Sequence, residues 1–199
     1  MVSGTELIVI SACYALGCLS TGYYLVRFRT GRDVRLLGSG SAGSMNVSRA
    51  LGTPGFVVTF LGDVAKGATA TLAAVYFGLG PWGVMLAVVA VVAGHIWPVQ
   101  LRFRGGKGLA TALGAVLLFD YWLVIAVVIV AAITLAVARN PTMSAMIAVA
   151  AAPGVAAIMG HPFVDLIGIS MVALFILNAH RSNIREIVGG ASPRSGGGE

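Results

Sequence analysis

Apolar residues in this chain fall in long runs separated by short polar links, and not in the alternation of a half-buried strand or the single stripe of an amphipathic helix. A helix needs about 20 apolar residues to cross the hydrocarbon core of a bilayer. Residues 7–26, 56–77, 82–99, 121–137, 142–159 and 163–177 read as such spans. The stretch 109–119 is equally apolar but would be only about 16 Å long at the helical rise of 1.5 Å per residue. Either it extends into the next run or it returns the chain as a short helix shielded by its neighbours.

Charge chooses between these. With a short return helix at 109–119, all thirteen Lys and Arg fall on one side. Twelve lie in the links, with Arg27, Arg29, Arg32, Arg35 and Arg49, then Arg102, Arg104 and Lys107, then Arg139, then Arg181, Arg185 and Arg194, and the thirteenth, Lys66, lies in the half of the second span on that side. The opposite links, near residues 78–81, Asp120 and 160–162, hold none. One long span over 109–137 would move Arg139 and the C-terminal cations outside, against the positive-inside rule. The pattern predicts an all-α integral membrane protein of about seven transmembrane helices, with the N-terminus outside and the C-terminus cytoplasmic. Residues 1–188 form one polytopic domain on this reading, and 189–199 a flexible polar tail.

Composition agrees. Hydrophobic residues are 58% of the chain, charged residues 10% and mean hydropathy +0.93, where a soluble domain carries roughly 25% charged residues. A pI near 9.9 could suggest nucleic acid, but the cations interrupt apolar spans and form no stripe on a soluble domain. Glu6 before the first apolar run, and the length of that run, argue for a span and against a cleaved leader. Cys13 and Cys18 are about 140° apart around a helix and read as small core residues. No metal-ligand spacing occurs, and no cofactor is expected.

The candidate chemistry lies on the cationic side. Gly38-Ser39-Gly40-Ser41-Ala42-Gly43 matches G-x-G-x-x-G, but the βαβ unit of a dinucleotide site is missing. Glycines still let backbone N–H groups converge on an anion, and a following helix start adds positive charge. Asn46 and Arg49 follow at near-helical spacing. A second basic loop, Arg104-Gly105-Gly106-Lys107-Gly108, is not a Walker A sequence, since Leu101 stands where its first glycine would be. For Lys107 and its arginines the alternatives are headgroup contact and topology. Asp63 and Lys66 share a helix face at i and i+3, either as a mutually neutralising pair or as part of a site. His95 and His180 end spans at the depth of both loops, whereas His161 lies on the other side beside Pro162 and reads as structural, and Asp120 and Asp165 lie there too with no evident partners.

In this order the segments resemble the bacterial acyl-phosphate:glycerol-3-phosphate acyltransferases, the PlsY-type membrane enzymes. The resemblance runs from about Leu19 to Gly190. It rests on Ser20-Thr21-Gly22-Tyr23, the loop 38–43 with Asn46 and Arg49, Asp63-x-x-Lys66-Gly67, Gly94-His95…Pro98, Phe103…Gly105-Gly106-Lys107-Gly108 and His180…Asn183-Ile184. Ser41, Met45 and Arg104 depart from the Asn, Thr and Lys usual in that family.

The resemblance implies a seven-helix fold open to the cytoplasm of a bacterial inner membrane. It also implies transfer of an acyl group from acyl phosphate to the 1-hydroxyl of glycerol 3-phosphate, without a cofactor. Membrane lipids and an acyl-phosphate-producing enzyme are the partners it suggests. The His-x4-Asp pair of thioester-dependent acyltransferases is absent, because Gln100, Leu166 and Arg185 follow the three histidines at that distance. The residues assigned to catalysis are Ser39, Lys107 and His180. Those assigned to substrate binding are Gly38, Gly40, Gly43, Asn46, Arg49, Asp63, Lys66, His95, Arg104, Gly105, Gly106, Gly108 and Asn183. The alternatives are a divergent paralogue with another acceptor, a protein that only binds lipid phosphate, and a transporter of small organic phosphates.

Overall fold

The structure, a computed structural model, describes residues 3–188; the tail expected at 189–199 lies outside them. Among the described residues the regular structure is helical: α1 Gly4–Cys18, α2 Thr21–Thr30, α3 Ser44–Tyr76, α4 Pro81–Ile96, α5 Leu109–Phe119, α6 Tyr121–Ala138, α7 Pro141–Ile158, α8 Phe163–Ala179 and α9 Arg181–Val188. Five stretches are long and apolar enough to cross a membrane: Gly4–Thr30, Ser44–Tyr76, Pro81–Leu101, Tyr121–Ala138 and Pro141–Ile158. Leu109–Phe119 and Phe163–Ala179 are apolar but shorter. The distribution of side chains fits a lipid surround. Phe163, Leu174 and Ile158 face outward, while Asp63, Lys66, His95, Thr59 and Thr71 are buried. The protein is an all-α, multi-span membrane protein.

The first expected span, 7–26, is two helices. α1 starts on a capping box between Ser3 and Glu6 and stops at Leu19, and α2 begins two residues on. In lipid, carbonyls freed by such a break must find donors within the protein. Lys66 Nζ donates to Leu19 O at 2.9 Å, and Gln100 Nε2 donates to Cys18 O.

The second span also begins earlier than the apolar run suggests. α3 holds 33 residues, about 50 Å of helix, and is bent at Gly52 (φ 66°, ψ −163°), two residues before Pro54. The bend sets off an arm, residues 44–51, that carries Asn46 and Arg49.

The short helix expected at 109–119 is present as α5. α5 is drawn against α3 by a pair of glycines. A Cβ on Gly67 would lie 2.0 Å from Thr111 O, and one on Gly114 would lie 1.9 Å from Val64 O, so only glycine permits this backbone approach. Asp120 ends α5 and caps α6, accepting from Trp122 N and Leu123 N. It does have partners, contrary to expectation. His161 bridges Asp120 (Nε2 to Oδ2, 3.0 Å) and Asp165 (Nδ1 to Oδ2, 3.1 Å), pinning the α5–α6 turn to the start of α8. The apolar pattern gave no sign of α9.

Candidate active site

The first glycine loop is organised by Asn46. This side chain is 2% exposed. Its Nδ2 donates to the carbonyls of Val34, Leu37 and Ser41 at 2.8–2.9 Å, and its Oδ1 accepts from Ser39 N at 2.9 Å. With every polar atom engaged, Asn46 shapes the loop and leaves nothing to offer a ligand. Much of the loop backbone is committed as well. The N–H groups of Gly40, Ala42 and Gly43 donate to Leu37 O, Gly105 O and Ser41 Oγ. Besides Gly38 N, the loop donors without a partner among the described residues are the N–H groups of Ser41, Ser44 and Met45, at and just before the first turn of α3, which no side chain caps. An uncapped helix start of this kind favours an anion. The Ser39 hydroxyl is exposed beside it. Gly38 (φ 49°) lies under Arg49, whose Nη1 would come within 2.8 Å of a Cβ at that position.

The second loop folds back on the end of α4. Gly105 N donates to Ile96 O and Gly106 N to His95 O, both at 3.0 Å. Gly106 lies directly on the His95 ring, where a Cβ would stand 2.0 Å from Nε2. Gly108 (φ 87°) starts α5 against Ile96 and Ile176. Before these glycines the chain passes through Arg102 (φ 55°) and Phe103 (φ 59°), a left-handed conformation costing about 1–2 kcal/mol per residue with a Cβ. The side chain of Arg104 is exposed, and its contact to the first loop runs through its carbonyl.

Between the loops stands Lys107. Its Nζ donates to Oδ1 of Asn183 on α9. Burial lowers its pKa from the ordinary 10.5; the charge of Glu186 opposes that shift, and Arg49 adds to it. His180 ends α8, 8% exposed. Its Nδ1 donates to Ile176 O at 2.8 Å, which leaves Nε2 as the free nitrogen. Burial lowers its pKa from 6.5, the backbone bond opposes, and nearby Lys107 lowers it further. Arg49, Lys107, His180 and Asn183, from α3, the α4–α5 loop, the end of α8 and α9, thus form one cluster.

Asp63, Lys66 and His95 do not join it. Asp63 Oδ1 is 2.9 Å from Lys66 Nζ and 3.6 Å from His95 Nδ1, and accepts from Thr21 Oγ1 at 3.3 Å. The His95 distance is too long for a hydrogen bond, and His95 Nδ1 has no hydrogen-bond partner among the described residues. All three residues are at most 6% exposed. They tie the α1–α2 break to α3 and α4 and support the loop from beneath.

Sequence reasoning could expect an apolar groove between helices for an acyl chain but could not place it. A groove of about 250 Å³ runs between α4, α5, α6, α7 and α8 and is lined only by apolar side chains. Leu109 and Ile176 line it near Lys107 and His180, and Met85, Val116 and Leu123 line it deeper in the bundle. Glu186 went unnoticed, although α9 places it one turn beyond Asn183. The unbroken apolar runs of α6 and α7 could not reveal which faces leave a gap.

Cations beside one end of an apolar groove, among apolar helices long enough to span a membrane, are the arrangement of a membrane enzyme of lipid metabolism. Such an enzyme works on a phosphate group next to a fatty chain. The profile of the glycerol-3-phosphate acyltransferase family matches residues 7–190, and the chain belongs to that family. It is 45% identical over 189 residues to the glycerol-3-phosphate acyltransferase 1 of Desulfitobacterium hafniense strain Y51, covering 95% of this chain and 94% of that one. It is also similar to crystal structures of PlsY, an integral membrane glycerol 3-phosphate acyltransferase. The glycerol 3-phosphate form has 31% identity and a TM-score of 0.87, with 97% of this chain and 96% of that one covered. The lysophosphatidic acid form has 29% identity and a TM-score of 0.82, with 94% and 93% covered.

Proposed function

We propose that the protein moves a fatty acyl group from acyl phosphate to the 1-hydroxyl of glycerol 3-phosphate, giving lysophosphatidic acid and inorganic phosphate. The observation that carries this reading is the convergence of Lys107, Arg49, His180 and Asn183 at the mouth of the apolar groove. The acyl chain lies in the groove with its carbonyl and phosphate at the mouth. Lys107 and Arg49 neutralise the phosphate charge that grows as the acyl carbon–oxygen bond breaks, and the free N–H groups at the start of α3, with Ser39, hold a phosphoryl group. His180 Nε2 and Asn183 orient glycerol 3-phosphate. Its hydroxyl oxygen forms the new ester bond to the acyl carbon, the phosphate leaves with the electron pair of the broken bond, and the departing phosphate takes the hydroxyl proton. Alignment of this kind accounts for much of a rate enhancement, since oriented intramolecular reactions gain roughly 7–11 kcal/mol.

The bilayer arrangement belongs to the same reading: seven crossings, counting the two shorter apolar helices with the five long stretches, in a bacterial cytoplasmic membrane. The cluster faces the cytoplasm, where an enzyme that makes acyl phosphate supplies the donor. Support comes from the one-sided placement of Lys and Arg. Incubating purified protein with acyl phosphate and glycerol 3-phosphate tests the reaction, with phosphate release and lysophosphatidic acid as readouts and acyl-CoA in parallel as the alternative donor. Equal or faster transfer from acyl-CoA would refute the donor assignment. Labelling of introduced cysteines near Arg32 and Ser182 from opposite sides of the membrane would refute the topology.

A further inference from the structure

Arg35 is the side chain that ties the first glycine loop to the second. Its Nη1 donates to Leu101 O at 2.7 Å and, more weakly, to Arg104 O at 3.4 Å. Asp33 holds the rest of the guanidinium from below, accepting from Nε at 3.0 Å and from Nη2 at 2.7 Å. The Tyr23 ring lies 5.0 Å from Cζ, within cation–π range. These contacts fix the direction of the fork, and the fork in turn spans the turn that contains Arg102 and Phe103.

That turn needs a restraint from outside. Two consecutive residues with a Cβ lie in the left-handed region, and such conformations persist only where the surroundings over-determine them. The turn's own backbone bonds are Arg102 N to Val99 O, Phe103 N to Pro98 O and Arg104 N to Leu101 O, at 3.0–3.3 Å. After the turn, Gly105 N is held by Ile96 O at the end of α4; the outside contacts to the turn's carbonyls come from the α2–α3 link, through the two Arg35 bonds and the Ala42 N to Gly105 O bond at 3.1 Å. Lys107 follows two residues later. A planar fork held on one side by a carboxylate and on the other by carbonyls is a task for arginine, and a lysine ammonium cannot reproduce it.

We propose that Arg35, braced by Asp33 and Tyr23, is a positioning residue that fixes the turn before Lys107 and thereby sets where the Lys107 ammonium stands in the site. The inference rests on the reading of Lys107 as the group that meets the transferring phosphate. The chain has only two lysines, and Lys66 is buried against Asp63, so the rate at which an amine reagent labels Lys107, resolved by peptide, reports its position directly.

In Arg35→Gln, Lys107 labels severalfold faster than in the wild type, Lys66 stays protected and the melting temperature in detergent is unchanged. The kcat for lysophosphatidic acid formation falls about tenfold or more, as displaced catalytic groups lose rate steeply. Arg35→Lys, which can hold one carbonyl, retains an intermediate kcat. Wild-type labelling of Lys107 in Arg35→Gln, whatever its activity, overturns the assignment, and so does faster labelling with full kcat. Faster labelling of Lys66 with a lower melting temperature marks general loosening and overturns it too. Lys107→Ala is the separate control. Full turnover there refutes the phosphate role of Lys107, while the labelling result still decides whether Arg35 holds the turn.

Discussion

Replacing Gly106 by alanine tests how tightly the lysine loop is placed. A Cβ there would stand 2.0 Å from Nε2 of His95, 2.5 Å from Cε1 and 3.0 Å from Cδ2. The ring has little freedom to yield, because it is 3% exposed and faces Asp63, which is itself paired with Lys66. Ordinary contact begins near 3.4 Å, so a displacement of about 1.4 Å falls mainly on the loop, whose anchors are two backbone bonds to His95 O and Ile96 O. Overpacking of this kind costs about 1–3 kcal/mol, too little to unfold the bundle. A shift of about 1 Å at a catalytic group can cost 100-fold in rate, and Lys107 is the next residue. The expected result is a kcat about two orders of magnitude below wild type, measured as lysophosphatidic acid formed from acyl phosphate, with a melting temperature in detergent only a few degrees lower. The double variant His95→Ala/Gly106→Ala opens the space again and recovers a substantial part of the rate. Gly106→Ala with wild-type kcat would refute the idea that the His95 ring sets the height of the loop.

Other consequences are as direct. Burial lowers the Lys107 pKa from 10.5, so the unfolded chain holds this proton more tightly, and the group costs stability at neutral pH, a cost that fades as pH rises toward 10.5. Lys107→Ala therefore melts no earlier than wild type, while turnover falls roughly 10- to 150-fold through loss of a charged contact worth about 1.5–3 kcal/mol. His180 is likewise lowered from 6.5. Its neutral form persists below that pH, so the acid limb of kcat/KM lies below 6.5, and a limb at or above 6.5 would exclude His180 as the titrating group. Ala148, on the wall of the groove, becomes a plug in Ala148→Leu: turnover of long-chain acyl phosphates falls more than that of short ones, and an unchanged chain-length profile would remove the acyl chain from the groove. His161→Ala, which unties Asp120 from Asp165, lowers the melting temperature through a loss of roughly 1–3 kcal/mol and leaves kcat unaltered.

The membrane character and the apolar helices, the short Leu109–Phe119 among them, could be read from residue order alone, because they depend on local quantities: the length of an apolar run and the polar links that bound it. The sequence also identified both glycine loops and placed Lys107, Arg49, His180 and Asn183 among the candidates, since charged and hydrogen-bonding residues beside glycine are conspicuous in an apolar chain. What each residue does depended on distances between segments far apart in sequence. Asn46 proved to be consumed by its own loop, and Asp63, Lys66 and His95 to brace the helices beneath the site, because side-chain partners are set by packing and not by spacing. The break at Leu19, the bend at Gly52, the apolar groove and the Arg35 contact with Leu101 were all decided by tertiary structure. In each case the controlling quantity is whether two backbones approach closely enough, or a donor lies near enough, for a polar group in lipid to be satisfied. No single run of residues encodes that.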